Sequence, residues 1–325
     1  MDSQLPARIN SRCPTLLWGK SCCQYCDMST GAEMGMLIFA ATPMGNAGDA
    51  SQRLLDAIAH SDLIAAEDTR KFRNLASRLG VEFSGRVISN FEGNELGRVD
   101  QILDSVRNGE QVLVVTDAGM PNVSDPGYRL ASAAIEANLP ISVLPGPSAI
   151  LTALVLSGLP SDRFCFEGFL PRKSGERNSA LTALAAQPRT MIFFEAPHRL
   201  EQSLADMEHV LGGDRRAAIC REMTKTYEEV IRGSLSELAQ WARGEVRGEI
   251  TLVVAGASDE EIRSNSGLGD MDSVVAKVQE LTRGGMSLKD ASAHVAALAG
   301  MSKREVYQAS LEQREQAKNS GSPRK

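Results

Sequence analysis

The sequence predicts an α/β protein with two sheet-bearing domains and a small C-terminal helical module. Three observations carry that expectation. From Met36 onward, short apolar runs alternate with amphipathic stretches at helical spacing, which is the pattern of parallel strands joined by helical crossovers. Beyond Gly158-Leu159-Pro160 the strand-like runs lie closer together, as they do in a mixed sheet. From Met271 to Gln313 only two or three short helices remain. Domains are therefore expected over 36–158 and 159–257, with the helical module over 270–313. Residues 1–35 show no clear periodicity and read as a disordered extension, or as sequence upstream of a start at Met34 or Met36.

The first strand, Leu37-Ile38-Phe39-Ala40-Ala41, breaks at Thr42-Pro43-Met44-Gly45-Asn46. Asp49 is expected to cap a helix with Leu54, Leu55 and Ile58 on one face. Leu63-Ile64-Ala65-Ala66 is the second strand and ends in Glu67-Asp68-Thr69-Arg70, and Arg86 to Ser89 is a weaker third. An amphipathic helix follows from Glu95 to Asn108, closed by Gly109. The fourth strand, Val112–Val115, gives way abruptly to Thr116–Gly127, a loop of acids, glycines and prolines. Pro121 and Pro126 fix φ there, while Gly119 and Gly127 let the backbone approach a ligand. Ser124 and Asp125 are candidate caps for a helix from Tyr128 to Ala137. Ile141 to Leu144 leads into Pro145-Gly146-Pro147-Ser148-Ala149 and a further helix.

In the second domain, strands are expected at Arg163–Leu170, Thr190–Glu195, Ala217–Glu222, Glu228–Arg232 and Glu249–Val254. Helices are expected from Pro197 to Leu211 and from Leu235 to Trp241. Ser264 to Gly267 reads as a linker. Ser287 opens one tail helix, and Ser302-Lys303-Arg304-Glu305 opens the next as a capping box.

Several function classes lose their mechanical parts. The formal net charge of −6 argues against a general electrostatic grip on nucleic acid, though a local basic patch is compatible with it. No apolar run approaches the roughly 20 residues that cross a bilayer, and no signal-peptide core precedes Gly35, so the expected location is cytoplasmic. Cys13, Cys22, Cys23 and Cys26 crowd the start, but Cys23-x-x-Cys26 has no second pair to complete a zinc site. Glycine-rich dinucleotide and P-loop phosphate motifs are missing, and the four histidines form no ligand cluster, so no metal is expected. What remains is a set of strand-end loops rich in Pro, Gly and small polar residues. Together they suit a flat, partly apolar, cationic small molecule.

Those loops carry a resemblance. Thr42-Pro43-Met44-Gly45-Asn46, Ala66-Glu67-Asp68-Thr69-Arg70, Asp117-Ala118-Gly119-Met120-Pro121 with Ser124-Asp125-Pro126-Gly127, and Leu144-Pro145-Gly146-Pro147-Ser148-Ala149 occur in order. Asp162-Arg163-Phe164-Cys165, Glu167-Gly168-Phe169-Leu170-Pro171, Phe194-Glu195 with His198-Arg199, Arg221-Glu222 with Thr224-Lys225, and Gly248-Glu249 continue the set. Any one of these is weak, but the ordered set resembles the RsmI-type small-subunit rRNA (cytidine-2′-O-)methyltransferases of the tetrapyrrole methylase superfamily. Met44 and Met120 depart from it, standing where that family usually has a smaller β-branched residue, and residues 1–35 match nothing.

The resemblance implies two α/β domains of the tetrapyrrole-methylase type with S-adenosylmethionine in a cleft between them, in a homodimer. It implies 2′-O-methylation of a cytidine in the decoding region of 16S rRNA, with a tetrapyrrole-precursor methylase as the alternative on the same fold. It also implies cofactor contacts from Pro43, Met44, Gly119, Met120, Pro121, Val123, Ser148 and Ala149. Phe194, Met223, Thr224, Thr251 and Leu252 complete that set.

From the charged residues at strand ends, Asp68 or Glu195 is expected to accept the ribose proton, and Arg70 or Arg199 to grip phosphate, with Lys225 beside them. A local Asp68–Arg70 ion pair that merely holds its loop is the competing reading. Arg172-Lys173-Ser174-Gly175-Glu176-Arg177 reads as a compact basic loop for RNA contact, with a solvated surface as the default reading of so short a run. The tail residues Lys289, His294, Lys303 and Arg304 have helix–turn–helix-like spacing that suits docking on the ribosome or equally a simple packing appendage.

Overall fold

The structure, a computed structural model, describes residues 34–265 and 267–320. Nearly all of the expected extension, with its four cysteines, lies outside the described residues. The chain forms two units. One ends at Ala149 and also takes in Thr224–Thr226; the other comprises Ile150–Met223 and the chain from Tyr227 onward.

In the first unit β1 (Met36–Ala40), β2 (Leu63–Ala66), β3 (Arg86–Ser89), β4 (Gln111–Val115) and β5 (Ile141–Leu144) form one sheet in the order β3-β2-β4-β1-β5. Every pairing is parallel, so all five carboxyl ends emerge along one edge. The central strands read as continuous apolar runs because both faces are covered. Ile38, Ile64 and Leu113 pack on one face with Leu54 and Ile58 of α1 (Gln52–His60) and Phe72 of α2 (Thr69–Leu79). Leu37, Phe39, Val112 and Val114 pack on the other with Ile102 and Val106 of α3 (Glu95–Arg107) and Leu130 of α4 (Tyr128–Glu136).

Two helix caps differ from expectation. Ser51, not Asp49, caps α1, its Oγ accepting the Leu54 N–H at 3.1 Å, while Asp49 ends a short 3-10 turn. Neither Ser124 nor Asp125 caps α4. Glu95, only 5% exposed, accepts the Gly127 and Leu130 N–H groups at 2.9 and 3.4 Å from the start of α3. A buried carboxylate from a neighbouring helix thereby does the capping, and the loop acids are released from it.

The second unit holds β6 (Phe164–Phe169), β7 (Thr190–Glu195), β8 (Arg216–Arg221), β9 (Glu229–Ser234) and β10 (Ile250–Val254) in the order β6-β7-β10-β8-β9. Only β6 and β7 are parallel, so this is a mixed sheet, and β6 shifts register between Phe166 and Gly168. α5 (Ala149–Ser157) belongs to this unit from Ile150 on, one helix earlier than the expected boundary. α6 (Ser174–Leu184) replaces the expected basic loop. Its Ser, Gly and Asn residues are poor helix formers, and burial of Arg177 and Leu181 supplies what propensity does not. α7 (Leu200–Leu211) and α8 (Leu235–Trp241) match expectation.

α9 (Asp259–Asn265) takes up Ser264 and Asn265, the first two residues of the expected linker, while Ser266 lies outside the described residues. Ser258 and Glu261 exchange hydrogen bonds at its start, and Arg215 holds Glu261 at 2.9 Å. α10 (Met271–Arg283), α11 (Leu288–Leu298) and α12 (Lys303–Ser320) close a core of Val274, Val278, Ala291, Val295 and Val306. Ser287 caps α11 as expected, whereas Ser302 Oγ accepts from the Arg304 N–H rather than from Glu305.

Candidate functional site

In the first unit, loops at the sheet's carboxyl edge are drawn together by backbone contacts. Thr42 and Gly119 exchange N–H···O bonds of 2.8 and 3.0 Å, and Thr42 Oγ1 donates to the Thr116 carbonyl. The Asn46 N–H donates to Thr224 Oγ1, so Thr224, remote in sequence, lies beside the Pro43–Asn46 turn. A Cβ on Gly45 would stand 2.4 Å from Lys225 Cγ, and one on Gly146 3.0 Å from Ala41 Cβ. The loops that carry Pro43, Met44, Gly119, Met120, Pro121, Ser148 and Thr224 therefore converge.

Gly119 has φ +78, and nothing lies nearer its missing Cβ than the Pro147 carbonyl oxygen at 4.0 Å. A side chain there would fill space that the turn leaves open. Among the described non-glycine residues, positive φ occurs at Asn122, Ser124, Asn138, Glu222 and Thr224, and all but Asn138 lie in these motif loops. Backbone held in sparsely populated regions clusters where ligands are gripped.

Acids gather at the same edge. Glu67 Oε2 accepts the Asp117 N–H at 3.1 Å, and Lys71 Nζ donates to Asp117 Oδ2 at 2.7 Å. Burial raises the Glu67 carboxyl pKa, the Asp117 N–H pulls it back, and the Asp117 charge raises it further. Asp125 is pushed up to about 7, first by burial and then by the charges of Glu67 and Asp117. Extending the strand register by one residue puts Asn90, Glu67 and Thr116 in one row on one face. Asn90 Oδ1 and Thr116 Oγ1 are buried without a hydrogen-bond partner among the described residues. Motif order marked Asp125 but did not show it as a titrating group. The sequence signal was only an acid between a strand end and Pro126, which is equally the signal of a cap.

The expected proton acceptors are otherwise engaged. Asp68 accepts the Arg70 and Lys71 N–H groups at 2.8 and 3.3 Å and faces Arg70 at 3.5 Å. The Arg70 N–H above all holds its carboxyl below the usual range. Capping α2 thus favours the loop-holding reading of Asp68. Arg70 itself projects into solvent. Glu195 is buried; its Oε2 takes the Ser203 hydroxyl at 2.5 Å, and its Oε1 takes the Ala196 N–H and faces Arg199 at 3.4 Å. Arg199 donates in turn to the Leu170 and Pro171 carbonyls. Both residues brace the ends of β6 and β7 and leave little for a substrate.

The second unit presents a cavity of about 950 Å³ at those strand ends, lined by Phe169, Arg172, Arg177, His198 and Arg199 among others. Arg177, expected on an open loop, is buried against Asp206, its Nε at 2.6 Å. Arg172 and Lys173 remain exposed, Lys173 pairing with Glu176. Thr251 and Phe194 stand side by side on adjacent strands, Phe194 in edge contact with Phe166 and Phe169. Leu252, expected at the cofactor, instead has its side chain in the apolar core, and Met223 is buried.

Comparison with known proteins places these loops in a family. Residues 36–239 match the Tetrapyrrole (Corrin/Porphyrin) Methylases, and residues 272–314 match the RsmI C-terminal HTH domain. A relative from Mycobacterium bovis called "Ribosomal RNA small subunit methyltransferase I" is 50% identical over 290 residues, 89% of this chain and 99% of that one. A relative of the same name from Escherichia coli O157:H7 is 38% identical, covering 88% of this chain and 98% of that one. Among solved structures, the methyltransferase CobJ superposes with a TM-score of 0.51 at 20% identity, covering 69% of this chain and 95% of that one. Fold, loop order and kinship agree, and the chain belongs to the tetrapyrrole methylase family, among the relatives called ribosomal RNA small subunit methyltransferase I.

Proposed function

We propose that this protein transfers a methyl group from S-adenosylmethionine to the ribose 2′-hydroxyl of a cytidine in the decoding region of small-subunit rRNA. The converging loops of the first unit carry the reading, with relatives of up to 50% identity named for small-subunit rRNA methylation. Pro43, Met44, Gly119, Met120, Pro121, Val123, Ser148, Ala149 and Thr224 would hold the cofactor, with Phe194, Met223 and Thr251 contributing. The open turn at Gly119 fits a bulky ligand, and acids at this edge fit a cationic one.

When bound, S-adenosylmethionine supplies a methyl group already activated on sulfonium. The chain's own work is to align the hydroxyl and accept its proton as the new C–O bond forms. Asp125 suits the second task better than Asp68 or Glu195. Its carboxylate accepts no hydrogen bond among the described residues, and it titrates near neutrality. Glu67 and Asp117 hold it there by charge. The exposed apolar side chains Leu151 and Val155 on α5 support a homodimer.

The test is labelled methyl transfer to small ribosomal subunits from a strain lacking the modification, with the product mapped. A labelled cytidine 2′-O position is expected. Label on a base, or transfer only to a tetrapyrrole precursor such as uroporphyrinogen, would overturn the proposal. Asp125→Asn should lower the methylation rate at least a hundredfold while S-adenosylmethionine binding, measured by calorimetry, persists.

A further inference from the structure

The cavity at the carboxyl ends of β6 and β7 has a chemistry that the methyl-transfer residues do not use. Its lining offers Arg172, Arg177, His198 and Arg199, and among the described residues no carboxylate lines it. The walls are rigid. Arg177 is fixed by Asp206 and also donates to the Pro171 and Arg172 carbonyls, while Arg199 donates to those of Leu170 and Pro171. The backbone acceptors of this loop are thereby occupied, and donors dominate what faces the opening.

Two side chains stay uncommitted. Those of Arg172, a cationic guanidinium, and His198, an imidazole N–H donor, are exposed and make no hydrogen bond or ion pair among the described residues. Beside them α6 begins at Ser174 with no side-chain cap from Lys173, so its first N–H groups, without a hydrogen-bond partner among the described residues, favour an anion. Phe169, 53% exposed, forms part of the same wall and is supported from behind by Phe194, with ring centroids 5.7 Å apart. An exposed aromatic face next to a free guanidinium is the pairing that takes a base by stacking and its phosphate by charge. S-adenosylmethionine carries net positive charge, so an arginine-lined cavity disfavours it. The volume of about 950 Å³ is ample for one nucleotide.

We propose that this cavity seats one unpaired nucleotide of the RNA substrate, its base against Phe169 and its phosphate held by Arg172, His198 and the start of α6. This rests on the rRNA-methylating reading and assigns the grip on RNA to a site built wholly within the second unit. Arg199 braces that site rather than touching the phosphate.

Steady-state methylation of small subunits by R172A, H198A and F169A tests it, alongside direct binding of subunits at several salt concentrations. Each variant is expected to raise the KM for subunits about fivefold to thirtyfold, with kcat within a factor of two and the Kd for S-adenosylmethionine unchanged. R172A should also flatten the salt dependence of binding by just under one unit of slope, whereas F169A should leave that slope alone. R172K should recover part of the affinity. Wild-type KM in both R172A and F169A overturns the inference, as does a fall in kcat at constant KM. If the wild-type protein neither binds nor methylates subunits, the functional reading falls with it. If the wild type works and the variants match it, only this inference falls.

Discussion

As the proposed proton acceptor, Asp125 would serve function at the expense of stability. Its pKa of about 7 lies well above the ordinary value because burial and the Glu67 and Asp117 charges disfavour the ionised form. The wild-type methylation rate should therefore rise with pH and level off above about 7, a limb that rate measurements on Asp125→Asn would lack. The same shift has a stability consequence of defined sign. Because the folded-state pKa is raised, the stabilisation is full below the unfolded value near pH 4 and lost as pH climbs through 7. Asp125→Asn should accordingly raise the Tm above pH 7 by an amount equivalent to about 1 kcal/mol, discounted for partial exposure. The gain should vanish below pH 4, and thermal melts across that range would show both. Sequence order marked Asp125 as part of a motif, yet its role depends on Glu95 taking over the cap. That contact joins residues 95 and 127 across a strand and is invisible to local pattern.

Among the elements, strands and amphipathic helices were legible because burial on a sheet imposes period and composition. The five parallel strands and α8 needed only their apolar runs and turn residues. α6 and α9 were not legible. They are held by tertiary ion pairs, Arg177 with Asp206 and Arg215 with Glu261, which outweigh poor local propensity. The second unit's expected Glu195 and Arg199 show a related effect: conspicuous charges at strand ends pair with one another, Glu195 buried and Arg199 half-buried. Glu95→Ala tests the capping element. It leaves two N–H groups at the start of α4 without their acceptor in a buried setting, and should destabilise the protein by about 1–3 kcal/mol. Denaturant melts would measure that loss. Glu95→Gln should recover part of it, since the amide oxygen still accepts.

For the molecule as a whole, composition argues against a broad basic surface. With a net charge of −6, affinity for rRNA has to come from local features rather than a general field. The proposed cavity in the second unit, with Arg172 beside Phe169, would meet that requirement, which is why the R172A salt slope is the informative quantity. Among the described residues no helix is long and apolar enough to cross a membrane. The loop order alone announced the family; the proposed division of labour between a proton-accepting edge and a nucleotide-holding cavity draws on coordinates, because hydrogen-bond partners decide which charges are free.

Thr224–Thr226 returns to the first unit long after the chain has left it, and Thr224 receives the Asn46 N–H there. Cutting the gene at the apparent junction therefore severs more than a linker. A fragment ending near Ser157 would retain its sheet yet lack three residues that buttress the Pro43–Asn46 turn. Such a fragment should bind S-adenosylmethionine poorly by itself and recover binding when a peptide spanning residues 216–234 is added in trans. Complementation of this kind, read by calorimetry, would show that the returning segment, not covalent continuity of the backbone, completes the first unit's loop edge.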